Sequence, residues 1–242
     1  MKVVVIIPAA GLGTRMAAAP SVRMAKPATS KQFTDLAGTP ILIHTLRRFA
    51  AHPGVSEIFV ALRENEMAPF RSRVEKSAKD LLQKKLELVV GGEHRQQSVA
   101  NAIGAVQAAD SDVVLVHDAV RPFVTPEIID EVIHAAEKYG AAIAGLPAVD
   151  TVKQVERTAE GALITATMPR ERVVMAQTPQ GFRFDVLKRA FNEAIADGFM
   201  GTDEASLVER SGHDVAVVMG SPSNIKITTP ADLELAEFYL RK

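Results

Sequence analysis

A glycine-bearing turn and a group of cations open the chain. Pro8-Ala9-Ala10-Gly11-Leu12-Gly13-Thr14-Arg15-Met16 follows an apolar run, and Arg15, Arg23, Lys26 and Lys31 precede the first acidic residue, Asp35. Glycine lets backbone N–H groups come close to an anion, and fixed cations supply charge that water would otherwise provide. The stretch therefore reads as a phosphate-binding loop. A dinucleotide fingerprint needs a third glycine where Met16 stands, and Asp35 does not close a second strand, which disfavours a nicotinamide or flavin cofactor. No Gly-Lys-Ser or Gly-Lys-Thr follows the glycines, which removes a Walker-type loop.

Other residues of chemical interest sit in similar places. Gly91-Gly92-Glu93-His94-Arg95-Gln96-Gln97-Ser98 and His117-Asp118-Ala119-Val120-Arg121-Pro122 each come after an apolar, β-branched run. Asp118 could cap the turn that follows it. It also stands where this kind of fold holds a nucleotide's magnesium, an ion that takes only one or two carboxylates. His94 and His117 read as hydrogen-bonded bystanders rather than bases. Ser98 can be a ligand or a plain helix-start residue, Lys226 a site cation or a strand-edge charge. Spacing alone does not choose among Arg23, Lys26 and Lys31.

The elements that position these residues alternate. Val3 to Ile7 has the continuous apolar pattern of a strand buried on both faces, expected to be the first and central one. Thr39-Pro40 predicts a helix start, with threonine as cap and proline in the first turn. Strands follow at Glu57 to Leu62, Leu86 to Val90, Asp112 to Val116 and Ala141 to Leu146. Helices are expected over Glu64 to Lys79, from Val99, and from Thr125-Pro126 to Tyr139-Gly140. From Asp150 to Met168 the rhythm breaks, and Thr151, Val152 and Val155, a turn at Ala159-Glu160-Gly161, then Leu163 and Ile164 predict a projecting β-hairpin. Val173 to Ala176 returns to the core before a Thr178-Pro179-Gln180-Gly181 turn. A helix over Phe184 to Ala196, a short one after Thr202-Asp203, a strand at Val215 to Met219 and a last helix from Thr229-Pro230 complete the chain. Thr229 and Asp232 are spaced as a capping box.

This pattern implies one doubly wound α/β domain over residues 1–242, mostly parallel, with an arm at about 150–168 and the ligand site beyond the carboxyl ends of the strands. At 242 residues and 47% apolar, the chain can bury a large core, and its formal net charge of −1 argues against a general nucleic-acid or membrane-surface binder. Cysteine is absent, which excludes disulfides and thiolate metal sites. The apolar run before Pro8 is too short for a signal or a membrane span, so a cytoplasmic protein is expected.

Taken together the motifs resemble the IspD-type cytidylyltransferases. The likeness rests on Pro8 to Met16, Lys31-Gln32-Phe33, Gly91-Gly92 with Ser98-Val99, Val116 to Pro122, Asp150-Thr151-Val152-Lys153, Gln177-Thr178-Pro179-Gln180, Thr202 to Ser206 and Asn224-Ile225-Lys226. It implies transfer of a cytidylyl group from CTP to 2-C-methyl-D-erythritol 4-phosphate with release of pyrophosphate. D-ribitol 5-phosphate is the alternative acceptor, and a nucleotide-binding regulator without turnover is the alternative of a different class. By resemblance, Ala9, Ala10, Gly92, Glu93 and Ser98 surround cytosine and Pro8, Asp118 and Ala119 lie near the ribose. Gly11, Gly13, Arg15 and Lys31 hold the triphosphate. Asp118 helps to hold magnesium (Mg2+) and Lys226 approaches the α-phosphate. The acceptor falls to Arg121 and Thr178, with Thr151 and Arg170 brought by the hairpin of a second subunit, so that a homodimer is implied. Lys31 is preferred to Lys26 because Gln32-Phe33 follows it. The segment from Ala17 to Ser30 is longer than is common in the family, Glu93 stands where aspartate is frequent, and no fused cyclodiphosphate synthase domain is expected.

Overall fold

The computed structural model describes residues 1–11, 30–159 and 161–241. In chain order the strands are β1 (Val3–Pro8), β2 (Asp35–Leu36), β3 (Thr39–Pro40), β4 (Glu57–Leu62), β5 (Lys85–Val90), β6 (Val113–Val116), β7 (Ala141–Pro147), β8 (Val152–Thr158), β9 (Gly161–Met168), β10 (Val174–Arg183) and β11 (Ala216–Met219). The α-helices are α1 (Ile41–Ala50), α2 (Glu64–Ser77), α3 (Arg95–Ala105), α4 (Pro126–Tyr139), α5 (Phe184–Ala196), α6 (Glu204–Arg210) and α7 (Pro230–Leu240). Seven strands form one sheet in the order β11-β7-β10-β6-β1-β4-β5. All neighbours are parallel except β10, which runs antiparallel to both β6 and β7.

The unbroken apolar run of β1 is explained by its two neighbours and two covered faces. Val3, Val5 and Ile7 point into a cluster with Leu42, Leu46 and Phe49 of α1 and Ile129 and Val132 of α4. Val4 and Ile6 point the other way, towards Val99 and Ala102 of α3 and Leu187 and Phe191 of α5. A period-2 strand thus feeds two helical layers. A third cluster, Leu36, Ile41, Val120, Phe123, Ile227 and Ala236, docks α7 against the sheet's site-bearing end. The Ile227 N–H donates to the Val120 carbonyl at 2.9 Å, which fixes the segment carrying Lys226 beside the loop after β6.

Local signals account for the starts of α4, α6 and α7, where Thr125, Asp203 and Thr229 cap through their side chains. Thr125 caps α4 with Pro126 in its first turn, and Gly140 ends it in the left-handed conformation that glycine adopts without strain. Thr229 and Asp232 form the expected capping box on α7. Three expectations change. Val174, Met175 and Ala176 are exposed, and β10 enters the core only from Gln177. Thr39-Pro40 does not begin a helix: it pairs with Asp35–Leu36, Pro40 is itself the N-cap, and α1 starts at Ile41. Thr178-Pro179-Gln180-Gly181 is not a turn outside the sheet. It lies inside β10, where the Thr178-Pro179 bond is cis and pairing with β7 shifts register between Ala176 and Gln180. Proline is tolerated there because an irregularity interrupts the ladder.

The projecting hairpin is present. β8 and β9 form a separate two-stranded sheet between β7 and β10, and Val155, Leu163 and Ile164 along it are 48%, 66% and 65% exposed.

Candidate functional site

Three strand ends and one extended segment converge on a cleft. After β1 the Ala9 N–H donates to Ala61 at 2.8 Å and continues the line of the sheet, leaving Pro8, Ala9, Ala10 and Gly11 on the cleft wall. Gln32, nearly fully buried, donates its side-chain amide to the Ala9 carbonyl. That bond ties the short 3-10 turn Lys31–Phe33 to the end of β1, and Lys31 stands on the cleft wall. Ser30 is held from behind, its hydroxyl donating to Glu66 at 2.6 Å with Arg63 against both.

The second loop follows β5. Gly91 lies so close to Ala10 that an added Cβ would overlap the alanine side chain, so this backbone approach requires glycine. The Ser98 hydroxyl accepts from the Gly92 N–H at 3.0 Å and donates to the His94 carbonyl at 3.1 Å, and Gln97 accepts from the Glu93 N–H at 2.9 Å. Gly92, Glu93, His94, Arg95 and Ser98 form this side of the cleft.

The third loop follows β6 and carries the charge centre. Asp118 is 7% exposed, and its carboxylate meets Lys226 Nζ at 2.9 Å, Arg121 Nε at 3.2 Å and Arg95 Nε at 3.5 Å. Burial would raise its pKa, but Arg95, Lys226 and Arg121 outweigh that and hold the carboxyl well below the usual range. Asp118 is thus a fixed negative charge inside a ring of three cations. Behind it His117, fully buried, faces the Arg121 carbonyl through Nε2 at 3.0 Å, so Nε2 carries the proton and Nδ1 accepts. The Thr178 hydroxyl then donates to Nδ1 at 3.0 Å and accepts from the Asp118 N–H at 3.1 Å.

Most residues singled out from the sequence meet here. Pro8, Ala9, Ala10, Gly11, Lys31, Gly92, Glu93, Ser98, Asp118, Ala119 and Lys226 all border the cleft. Gly13 and Arg15, with Arg23 and Lys26, lie outside the described residues. Arg121 and Thr178 are buried behind the wall, Arg121 also donating to the Asn224 carbonyl at 2.8 Å. Thr151 and Arg170 sit exposed at the root of the arm, away from the cleft walls of their own chain, and Arg170 donates to the Val149 carbonyl at 3.2 Å. Lys226 is no strand-edge charge, since its partner is Asp118. His117 is the bystander expected of it.

Sequence reasoning gave no role to Arg95, Glu204 or Asn224, although each lies in a motif it quoted. Arg95 lies in the first turn of α3 on the cleft wall, and its Nη1 donates to Glu204 at 2.6 Å. Asn224, fully buried, donates to the Gln177 side chain at 3.3 Å and the Thr178 carbonyl at 2.8 Å, tying the Lys226 segment to β10. A basic residue following a glycine turn was a visible signal for Arg95; Glu204 stood in the Thr202 to Ser206 motif with nothing local to pair it with Arg95.

Comparison with known proteins gives a consistent picture. Residues 3–242 match the family model described as IspD, 2-C-methyl-D-erythritol 4-phosphate cytidylyltransferase. A protein of that name from Acidobacterium capsulatum is 61% identical over 242 residues, covering 100% of this chain and 98% of the relative. Its counterpart in Solibacter usitatus is 51% identical, with 100% and 97% covered. Among solved structures, the cytidylyltransferase of the same name from Thermus thermophilus superposes with a TM-score of 0.78 at 33% identity, with 100% of both chains covered. That from Francisella tularensis gives 0.79 at 33% identity, with 98% and 99% covered.

The buried histidine makes stability depend on pH. Burial pushes the His117 pKa down from 6.5 to about 4, so an unfolded chain takes up a proton in that interval while the folded chain does not. His117 should therefore remove stability as pH falls from about 6.5 towards 4, by up to about 1.4 kcal/mol per pH unit, and contribute full stability above that window. Urea unfolding across this range should show a shallower slope for His117→Gln than for the parent; equal slopes would defeat the assignment.

Proposed function

Because the chain belongs to the IspD family of 2-C-methyl-D-erythritol 4-phosphate cytidylyltransferases, we propose that its cleft binds CTP and transfers the cytidylyl group to 2-C-methyl-D-erythritol 4-phosphate, releasing pyrophosphate. The observation that supports this reading best is one cleft wall joining Pro8 to Gly11 and Lys31 to Asp118 and Lys226. In this reading residues 1–242 act as one catalytic domain. The Gly91–Ser98 loop and Ala9 and Ala10 receive cytosine, Pro8, Asp118 and Ala119 face the ribose, and Gly11 and Lys31 receive the triphosphate. Gly13 and Arg15 join that group by family position alone.

The chemistry needs no protein base. A phosphate monoester has a second pKa of about 6 and is already largely a dianion at neutral pH. His117, neutral and sequestered behind Asp118, is unsuited to proton transfer at the cleft. What remains is to bring two anions into line and to stabilise charge on the α-phosphoryl oxygens. Lys31 and Lys226 line the cleft and suit that task.

The donor set fits a magnesium ion carried in by the nucleotide better than a resident one. Among the described residues no cluster of three or more His, Cys, Asp or Glu side chains could cage an ion, while the ionised Asp118 offers the single carboxylate that a nucleotide-bound magnesium needs. The ion would supply further positive charge to the phosphates as charge develops on them.

The arm supports a homodimer. A two-stranded hairpin has little stability alone in water, and this one exposes Leu163 and Ile164. A second copy packed on the arm would cover those side chains and carry Thr151 and Arg170 towards the neighbour's cleft to meet the acceptor; Arg121 and Thr178, behind the wall, join that group by family position alone. Among the described residues no helix is long and apolar enough to cross a membrane, and a cytoplasmic location belongs to this proposal.

Three measurements test these statements. Pyrophosphate release from CTP should require 2-C-methyl-D-erythritol 4-phosphate and stop on magnesium chelation; release with D-ribitol 5-phosphate alone overturns the acceptor, and release with neither overturns the enzyme. Lys31→Ala should lower kcat on the order of 100-fold while weakening CTP binding much less. Near-normal turnover would remove Lys31 from the chemistry. Sedimentation should give twice the chain mass, and a persistent monomer would leave Thr151 and Arg170 without their role.

A further inference from the structure

Glu204 is the least exposed carboxylate near the cleft, yet it is not on the cleft wall. It is 1% exposed at the first position of α6. One oxygen, Oε1, accepts from Arg95 Nη1 at 2.6 Å, and Oε2 meets no hydrogen-bond donor among the described residues. Burial pushes its carboxyl upwards against the pull of that guanidinium. Such a group is costly to keep, and its surroundings hold it firmly. Asp203 caps α6 in a reciprocal box with Ser206. Gln180 of β10, itself 1% exposed, donates to Asp203 at 2.8 Å and accepts from the Ala205 N–H at 3.1 Å. On the opposite side Gln96, next to Arg95, donates to the Phe199 carbonyl at 3.0 Å and accepts from the Gly201 N–H at 2.9 Å.

Arg95 therefore stands between two carboxylates and is shared unequally. It makes a hydrogen bond to Glu204, but reaches Asp118 only through Nε at an ion-pair distance of 3.5 Å. A guanidinium freed from Glu204 would close on Asp118 as a two-pronged fork, the geometry arginine favours with a carboxylate. It would then occupy Oδ1, while Lys226 and Arg121 already share Oδ2. We propose that Glu204 is a positioning residue that draws Arg95 back from Asp118 and so leaves Oδ1 available to the incoming nucleotide. This rests on the cytidylyltransferase reading only for what Oδ1 serves; the restraint of Arg95 stands on geometry.

The restraint gives an order of effects that a purely structural role does not. Glu204→Gln keeps the shape, removes the charge and should lower kcat/KM for CTP at least about tenfold. Adding Arg95→Gln should recover activity, bringing the double variant to within about threefold of Arg95→Gln alone, because the residue that blocks Asp118 is gone. A Glu204→Gln variant with parental kcat/KM overturns the proposal, as does a folded double variant no better than Glu204→Gln. If Glu204→Gln does not fold, the double variant and Arg95→Gln are compared directly. Equal kcat/KM supports the proposal and a further tenfold loss refutes it. A crystal structure of Glu204→Gln without nucleotide tests the restraint apart from turnover. Arg95 should approach Asp118 more closely than 3.5 Å with two nitrogens, and an unmoved guanidinium overturns the idea even if the parent enzyme is fully active.

Discussion

A carboxylate buried among three cations is the constraint around which the cleft is built. Asp118 would be expensive to desolvate alone, and Arg95, Arg121 and Lys226 make its ionised form tenable. Those cations arrive from three separate parts of the chain: the first turn of α3, the loop after β6 itself, and the extended segment before α7. Each has its own anchor. Arg95 is held by Glu204, Arg121 by the Asn224 carbonyl, and the Lys226 segment by Ile227 in the third apolar cluster. The electrostatic centre thereby turns three independent packing decisions into one geometry, and misplacement of any would leave a buried charge short of its partner.

The antiparallel strand of the seven-stranded sheet serves the same centre. β10 inserts between β6 and β7 and brings Thr178 beside His117 and the Asp118 N–H. Two residues later it presents Gln180 to the start of α6. One strand therefore supports Asp118 from behind and fixes Glu204 from the side. A parallel strand at this position would need a crossover to enter, and would run its side chains past β6 in the other direction.

Much of this is legible in the amino-acid sequence alone. The bounds of β4 and α5 follow residue for residue from apolar patterning, because both lie in the double-layered core where a face is unambiguous. The loops after β1, β5 and β6 meet because parallel strands of one sheet end on the same edge. What failed or went unseen was non-local. Thr178-Pro179-Gln180-Gly181 has turn composition, and only its neighbours in the sheet make it strand. Pro40 became a cap because Thr39 was taken up by Asp35–Leu36. Arg95 and Glu204 are 109 residues apart, and an ion pair at that separation leaves no periodicity for a single sequence to display.

The arm begins and ends on strands that are already hydrogen-bonded neighbours, with the Ala148 N–H donating to the Val173 carbonyl at 3.0 Å and Val174 opposite Pro147. Its ends are thus closed by the sheet whatever lies between them, and lengthening or replacing the intervening residues costs only slowly growing loop entropy. Register in the main sheet is indifferent to the arm's content. The arm is in this sense a detachable cassette that can diverge at a pace of its own while the cleft stays bound to the packing of the sheet.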